Sequence, residues 1–118
     1  MKFIADNATY DMINGAHVAG LAIGDGANGY LMLQRSGEED RDDLGIYIEL
    51  NGQTNSNYGI IRECRVSRNA IEIDLNEPLA GVTAIYVTLA VDDVAFSRFV
   101  EGIRRVFRNC HSQLKIMA

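Results

Sequence analysis

The chain predicts an α+β fold: one twisted, mainly antiparallel sheet of about six to seven strands, with a single C-terminal amphipathic helix packed on one face. Two patterns carry this expectation. Across the first ninety or so residues, short runs of alternating apolar and polar residues are separated by Gly, Asn and Asp turns, which is the period of half-buried strands. Near the end, one segment repeats its apolar residues every three or four positions, which is the period of a helix lying on a core. With 118 residues and 47% hydrophobic content, residues 1–118 suffice for one domain that buries a core without disulfides or metal.

The elements follow in order. Phe3 to Ile13 reads as a mixed extended segment, and Asn14-Gly15 as a hairpin turn, because both central positions of a type I′ turn need positive φ. His17 to Ile23 and Tyr30 to Arg35 are two further strands. Two facings of the second compete: either Leu31, Leu33 and Arg35 point inward, or Tyr30, Met32 and Gln34 do. After the charged loop SGEEDRDD, Ile46, Ile48 and Leu50 alternate with Tyr47 and Glu49. The loop NGQTNSN leads into a strand from Tyr58 to about Ser67. Arg68-Asn69 then turns the chain into Ile71, Ile73 and Leu75, and Pro78 with Gly81 marks the next loop before Ile85, Val87 and Leu89.

The helix begins at Asp92 or Asp93, whose carboxylates suit the free amides and positive end of a helix; with Asp92 as cap, Val91 and Phe96 form a hydrophobic staple. Phe96, Phe99, Val100, Ile103, Val106, Phe107 and Cys110 share one face, opposite Arg98, Glu101, Arg104, Arg105 and Arg108. Gly102 costs about 1 kcal/mol relative to Ala in a helix. Close approach of the sheet is its expected justification. Asn109 is the expected stop, and HSQLKIMA an expected frayed tail. Because a lone helix cannot hide so wide a sheet, part of its other face should be wet or used.

Charge narrows the partners. The net charge is −5, and residues 1–60 hold nine acids against three bases, while the rest holds seven acids and eight bases. An acidic front half repels phosphate backbones and attracts a basic partner, so direct nucleic-acid binding is not expected. No secretory leader and no membrane-length apolar run is visible in the sequence, and Cys64 and Cys110 have neither metal-ligand nor CxxC spacing, which together suggest a reduced, cytoplasmic protein.

The motifs that resemble chemistry do not survive their physical requirements. Gly24-Asp25-Gly26-Ala27-Asn28-Gly29 matches GxGxxG, with Glu49 further on, but no helical stripe follows the glycines to present free amides to a pyrophosphate. A Gly-rich connection between antiparallel strands is the better reading. Asp40, Asp42 and Gly45 fall at EF-hand positions, yet Leu44 and Asn51 occupy two that need ligands. His17 and His111 lack neighbours at ligand spacing, adjacent Cys110 and His111 diverge on a helix, and no serine has a GxSxG context. No catalytic residue, metal ligand or cofactor is therefore assigned.

What remains is surface chemistry. If Ile46, Ile48 and Leu50 face the helix, Tyr47 and Glu49 face away, and the same logic turns Glu72 and Asp74 outward beside Tyr86 and Thr88. Inward Leu31 and Leu33 would add Tyr30, Met32 and Gln34. Tyrosines mixed with carboxylates suit a protein interface, although tyrosine also favours strands in its own right.

The order YLMLQRS (30–36), acidic spacer, GIYIELN (45–51), NYGII (57–61), SRNAIEIDL (67–75), AIYVTLAVDD (84–93) and FVEGIRRVF (99–107) resembles the immunity protein 10 family of bacterial polymorphic toxin systems. The resemblance implies a small cytoplasmic protein, not an enzyme, that binds and neutralises a cognate toxin. From the strand alternation, the contact is expected at outward residues: Tyr30, Tyr47, Glu49, Tyr58, Glu72, Asp74 and Tyr86. A basic nuclease would complement the negative charge. The sequence leaves open whether the protein is a monomer or homodimer. Two other readings fit the same residues: a small-ligand binding domain or enzyme with a pocket between sheet and helix, and a homo-oligomeric structural subunit.

Overall fold

A computed structural model describes residues 1–38 and 41–117. Its strands are β1 (Lys2–Ala5), β2 (Asn7–Ile13), β3 (Ala16–Ala22), β4 (Tyr30–Ser36), β5 (Tyr47–Leu50), β6 (Ser56–Tyr58), β7 (Ile61–Val66), β8 (Ala70–Leu79) and β9 (Val82–Leu89). The helix α1 (Asp93–Val106), a 3₁₀ turn (His111–Gln113) and β10 (Leu114–Ile116) follow. The fold is α+β as expected, but the expected single sheet is replaced by two sheets of five strands each. One has the order β1-β9-β8-β7-β10, the other β2-β3-β4-β5-β6.

The division has an identifiable backbone cause at two points. At Asp6 the chain leaves one sheet for the other: the Ala5 carbonyl accepts from Ala90, while the Asp6 amide donates to Ala22. At Gly59-Ile60 it crosses back. Gly59, at φ 69°, donates to Ile46, and the Ile60 carbonyl accepts from Asn76. Tyr58 therefore ends β6 in one sheet and does not begin β7 in the other, contrary to the continuous strand expected from Tyr58 to Ser67. Pairing within each sheet is antiparallel except at the outer edges of the first, where β1 runs parallel to β9 and β10 parallel to β7. The expected frayed tail is thus a strand, anchored by Met117 N to Val66 O at 2.7 Å and by Gln113 Nε2 to Ile61 O at 2.9 Å.

Both sheets and the helix contribute to one apolar core. From the β2–β6 sheet come Ala19, Leu21, Leu31, Leu33, Ile48 and Leu50; from the β1–β10 sheet Cys64, Val66, Ile71, Ile73, Ile85 and Val87; from the helix Phe99 and Ile103. A second sheet supplies the cover that one helix could not, because α1 packs chiefly against β2, β3 and β4. Asp92 caps it, accepting from Ala95 N at 2.8 Å, and Val91 and Phe96 each pack against the core. Gly102 faces Tyr10 so closely that a Cβ there would lie 2.4 Å from the ring. Asn109, with φ 60°, ends the turn after the helix.

The turns behave as their residues dictate. Asn14 and Gly15 take φ 51° and 80° and close the β2–β3 hairpin. Pro78 does not mark a loop; it lies in β8, inside the stretch where pairing with β9 is irregular, so its missing amide breaks no regular ladder bond. Ala80 and Gly81 make that turn instead, both at positive φ.

Candidate functional site

The glycine-rich segment 24–29 joins antiparallel β3 and β4 and has no helix after it. Gly24, Gly26 and Gly29 all adopt positive φ, and Gly24 is tied to Asp6 Oδ1 at 2.8 Å. Such a loop presents no row of helix amides, so the dinucleotide reading fails on geometry. Asp40 of the calcium pattern lies outside the described residues. Asp43, in the same loop but outside that pattern, holds Arg35 and Arg108. Among the described residues no group of three or more His, Cys, Asp or Glu is placed to hold a metal ion.

Register settles the facing of β4. Leu31, Leu33 and Arg35 are buried, so Tyr30, Met32 and Gln34 stand on the outer side of the sheet. There Met32 lies opposite Gly20 of β3 and Glu49 of β5, and Gln34 lies opposite Val18 and Tyr47. Neither the helix nor the other sheet covers this side. Small residues along β3 make a trough in it: a Cβ on Gly20 would fall 3.1 Å from Thr9 Oγ1, and a cavity of about 340 Å³ opens over Thr9, Gly20, Ala22, Tyr30 and Met32.

Glu49 organises the next part of the face. It stands on the outward side, as alternation predicts, yet the residue is only 5% exposed. Two phenols cover it: Tyr47 Oη donates to Oε1 at 2.5 Å, and Tyr30 Oη donates to Oε2. Tyr30 gives its proton up reluctantly, its pKa pushed up to about 12 first by the bond to Glu49. Tyr47 is shifted the same way, by burial and then by Glu49. The Tyr58 ring leans on Tyr47 at 5.1 Å between centroids, tilted by 56°, and is itself 45% exposed.

The other expected contact residues lie elsewhere. Glu72, Asp74 and Tyr86 occupy the outer side of the β1–β10 sheet, so the seven candidates divide between two sheets instead of forming one face. Arg65 gathers the acids there, bonding Asp74 at 2.7 Å, Glu72 at 2.9 Å and Glu63 at 2.5 Å, while Lys115 reaches Glu63 at 2.7 Å. These contacts hold Asp74 below the usual carboxylate range through Arg65, and Glu63 through Lys115 first. The carboxylates of this side are matched within the molecule, whereas Glu49 is held by neutral donors.

Two clusters escaped the sequence reading. His17 is buried and sits between Tyr10 Oη, 2.8 Å from Nδ1, and Glu38 Oε1, 3.1 Å from Nε2. Arg35, inward-facing, donates from Nη1 to the carbonyls of Val106 at 3.1 Å and Arg108 at 3.0 Å, closing the end of the helix. It also pairs with Asp43, 2.9 Å from Nη2. Arg35 at an inward position of an otherwise apolar alternation was the one visible signal of this cluster.

The described residues include no helix long and apolar enough to cross a membrane. Comparison with curated proteins gives no match. A family model described as Immunity protein 10 matches residues 4–97, which takes in both strand crossings, the whole outer face around Glu49 and the start of the helix. The chain belongs to the immunity protein 10 family.

Proposed function

We propose that the protein is a cytoplasmic immunity protein that binds a cognate toxin and neutralises it by occupancy, without catalysis of its own. Family membership supports the class of function. The observation that supports the location is the uncovered outer side of the β2–β6 sheet, where Tyr30, Tyr47 and Tyr58 stand over Glu49. Tyrosines fixed by hydrogen bonds lose little further freedom on binding, which is what a tight protein interface requires. The side carrying Glu72, Asp74 and Tyr86 is the lesser candidate, because its acids already have internal partners. The net charge of −5 favours a basic toxin such as a nuclease, through faster encounter at low salt.

The test is co-expression with the polymorphic toxin encoded beside it. Growth rescue and a co-purifying complex are expected; absence of both removes this reading. Tyr47→Ala or Glu49→Lys should weaken the complex, whereas Tyr86→Ala on the other sheet should leave it intact. The reverse pattern would move the interface to the β1–β10 sheet.

A further inference from the structure

Beside the trough, a second depression of about 260 Å³ opens on the outer face, lined by Met32, Gln34, Tyr47, Glu49, Gln53 and Tyr58. Its floor is unusual in its electrostatics. Glu49 is almost wholly removed from water, yet the Lys, Arg and His ion pairs among the described residues all go to other carboxylates. Burying a carboxylate without a cation is costly, and two phenol donors offset that cost only in part. A carboxylate has about four acceptor directions. The two tyrosines use one on each oxygen, so each oxygen keeps capacity for another donor.

The walls suit the same occupant. Tyr47 and Tyr58 present tilted rings, and a cation held over such a ring is attracted by its negative face, more so where water is excluded. Gln34 and Gln53 add neutral polar side chains to the lining, and Met32 a polarisable apolar one. A planar guanidinium can stack on a ring while its fork addresses a carboxylate.

We infer that this depression receives one basic side chain of the bound partner, an arginine in preference to a lysine, with its charge on Glu49 and its plane against Tyr47 or Tyr58. The inference rests on the toxin-binding reading for the source of that side chain, but the pocket can be tested without the toxin. The ¹⁵N-labelled protein is titrated with N-acetyl-arginine amide and, separately, with the neutral near-isostere N-acetyl-citrulline amide. Saturable amide shifts confined to residues 32–34, 47–49, 53 and 58 are expected with the first and not the second. Glu49→Gln, which keeps the side-chain shape, and Tyr58→Leu, which removes a wall without touching the Glu49 bonds, should each weaken the effect by roughly tenfold or more. Equal shifts from both probes, or none at these residues, overturn the inference.

In the toxin complex, Glu49→Gln should raise Kd by roughly tenfold or more. If wild-type rescue and complex formation hold while Glu49→Gln leaves Kd unchanged, this inference falls and the immunity reading stands. If arginine binds here but the toxin forms no complex, the immunity reading falls and the cation pocket stands.

Discussion

Substituting Gly102 by alanine sets two known effects against each other. In an exposed helix the change should stabilise by about 1 kcal/mol, through the lower conformational freedom of alanine. Here the new Cβ would lie 2.4 Å from Tyr10 Cδ1, 2.5 Å from Cγ and 2.8 Å from Cβ. Swinging the side chain about χ1 relieves the first two contacts but not the third, because Tyr10 Cβ is fixed to the β2 backbone. The helix must therefore move off the sheet, and overpacking of this kind costs about 1–3 kcal/mol. With three short contacts the upper part of that range applies, leaving a net loss of about 1–2 kcal/mol. For a chain of this size that lowers Tm by roughly 4–8 °C.

The assay is urea denaturation with thermal melting of wild type, Gly102→Ala, Tyr10→Gly and the double variant. The cycle is needed because Tyr10→Gly also breaks the bond to His17. With the whole side chain gone, Cβ included, Gly102→Ala should cost at least about 1 kcal/mol less than it does beside Tyr10. A higher Tm for Gly102→Ala alone, or equal losses in both backgrounds, would refute the close-approach argument.

Replacing Arg35 by methionine should destabilise by about 3–5 kcal/mol in urea, because Asp43 and two helix-end carbonyls lose their buried partner; a loss below about 1 kcal/mol would mean the cluster is dispensable. Arg35 holds Asp43 below the usual carboxylate range, so the stabilisation is complete above the unfolded pKa and lost as pH falls through the folded one. Asp43→Asn should accordingly flatten the acid limb of the stability profile. For Tyr30 the sign is opposite: its folded pKa of about 12 exceeds the ordinary 10.0, so its contribution is full below pH 10 and lost as pH rises towards 12. Absorbance titration near 295 nm should show Tyr30 and Tyr47 ionising late, and Glu49→Gln should bring both down. Since both sheets share one core, we propose that the chain unfolds as one unit; non-coincident near- and far-ultraviolet dichroism transitions would contradict that.

Local chemistry was legible in the sequence wherever it acts over a few residues. Asn14-Gly15, the loop at 24–29, the Asp92 cap and the apolar stripe of α1 all took the form their residues dictate. Alternation also predicted which side chains point to a core. It carries no information on which strands pair, so one sheet and two sheets read alike. The parallel joins β1–β9 and β10–β7 link distant segments and leave no local mark. Glu49 illustrates the same limit at the site. Its outward position followed from period two, but its burial depends on Tyr30, which reaches it from the neighbouring strand.

The pairing of β1 with β9 also orders events during synthesis. Residues 2–5 leave the ribosome well before residues 82–89, which form the strand they join. Until then an apolar edge strand has no partner and β2, directly attached to it through Asp6, has already found β3. Such long-range closure slows folding and exposes intermediates to aggregation. Nascent chains stalled before residue 82 should therefore hold the β2–β6 sheet unsealed, and the tyrosine face should mature only when β9 arrives.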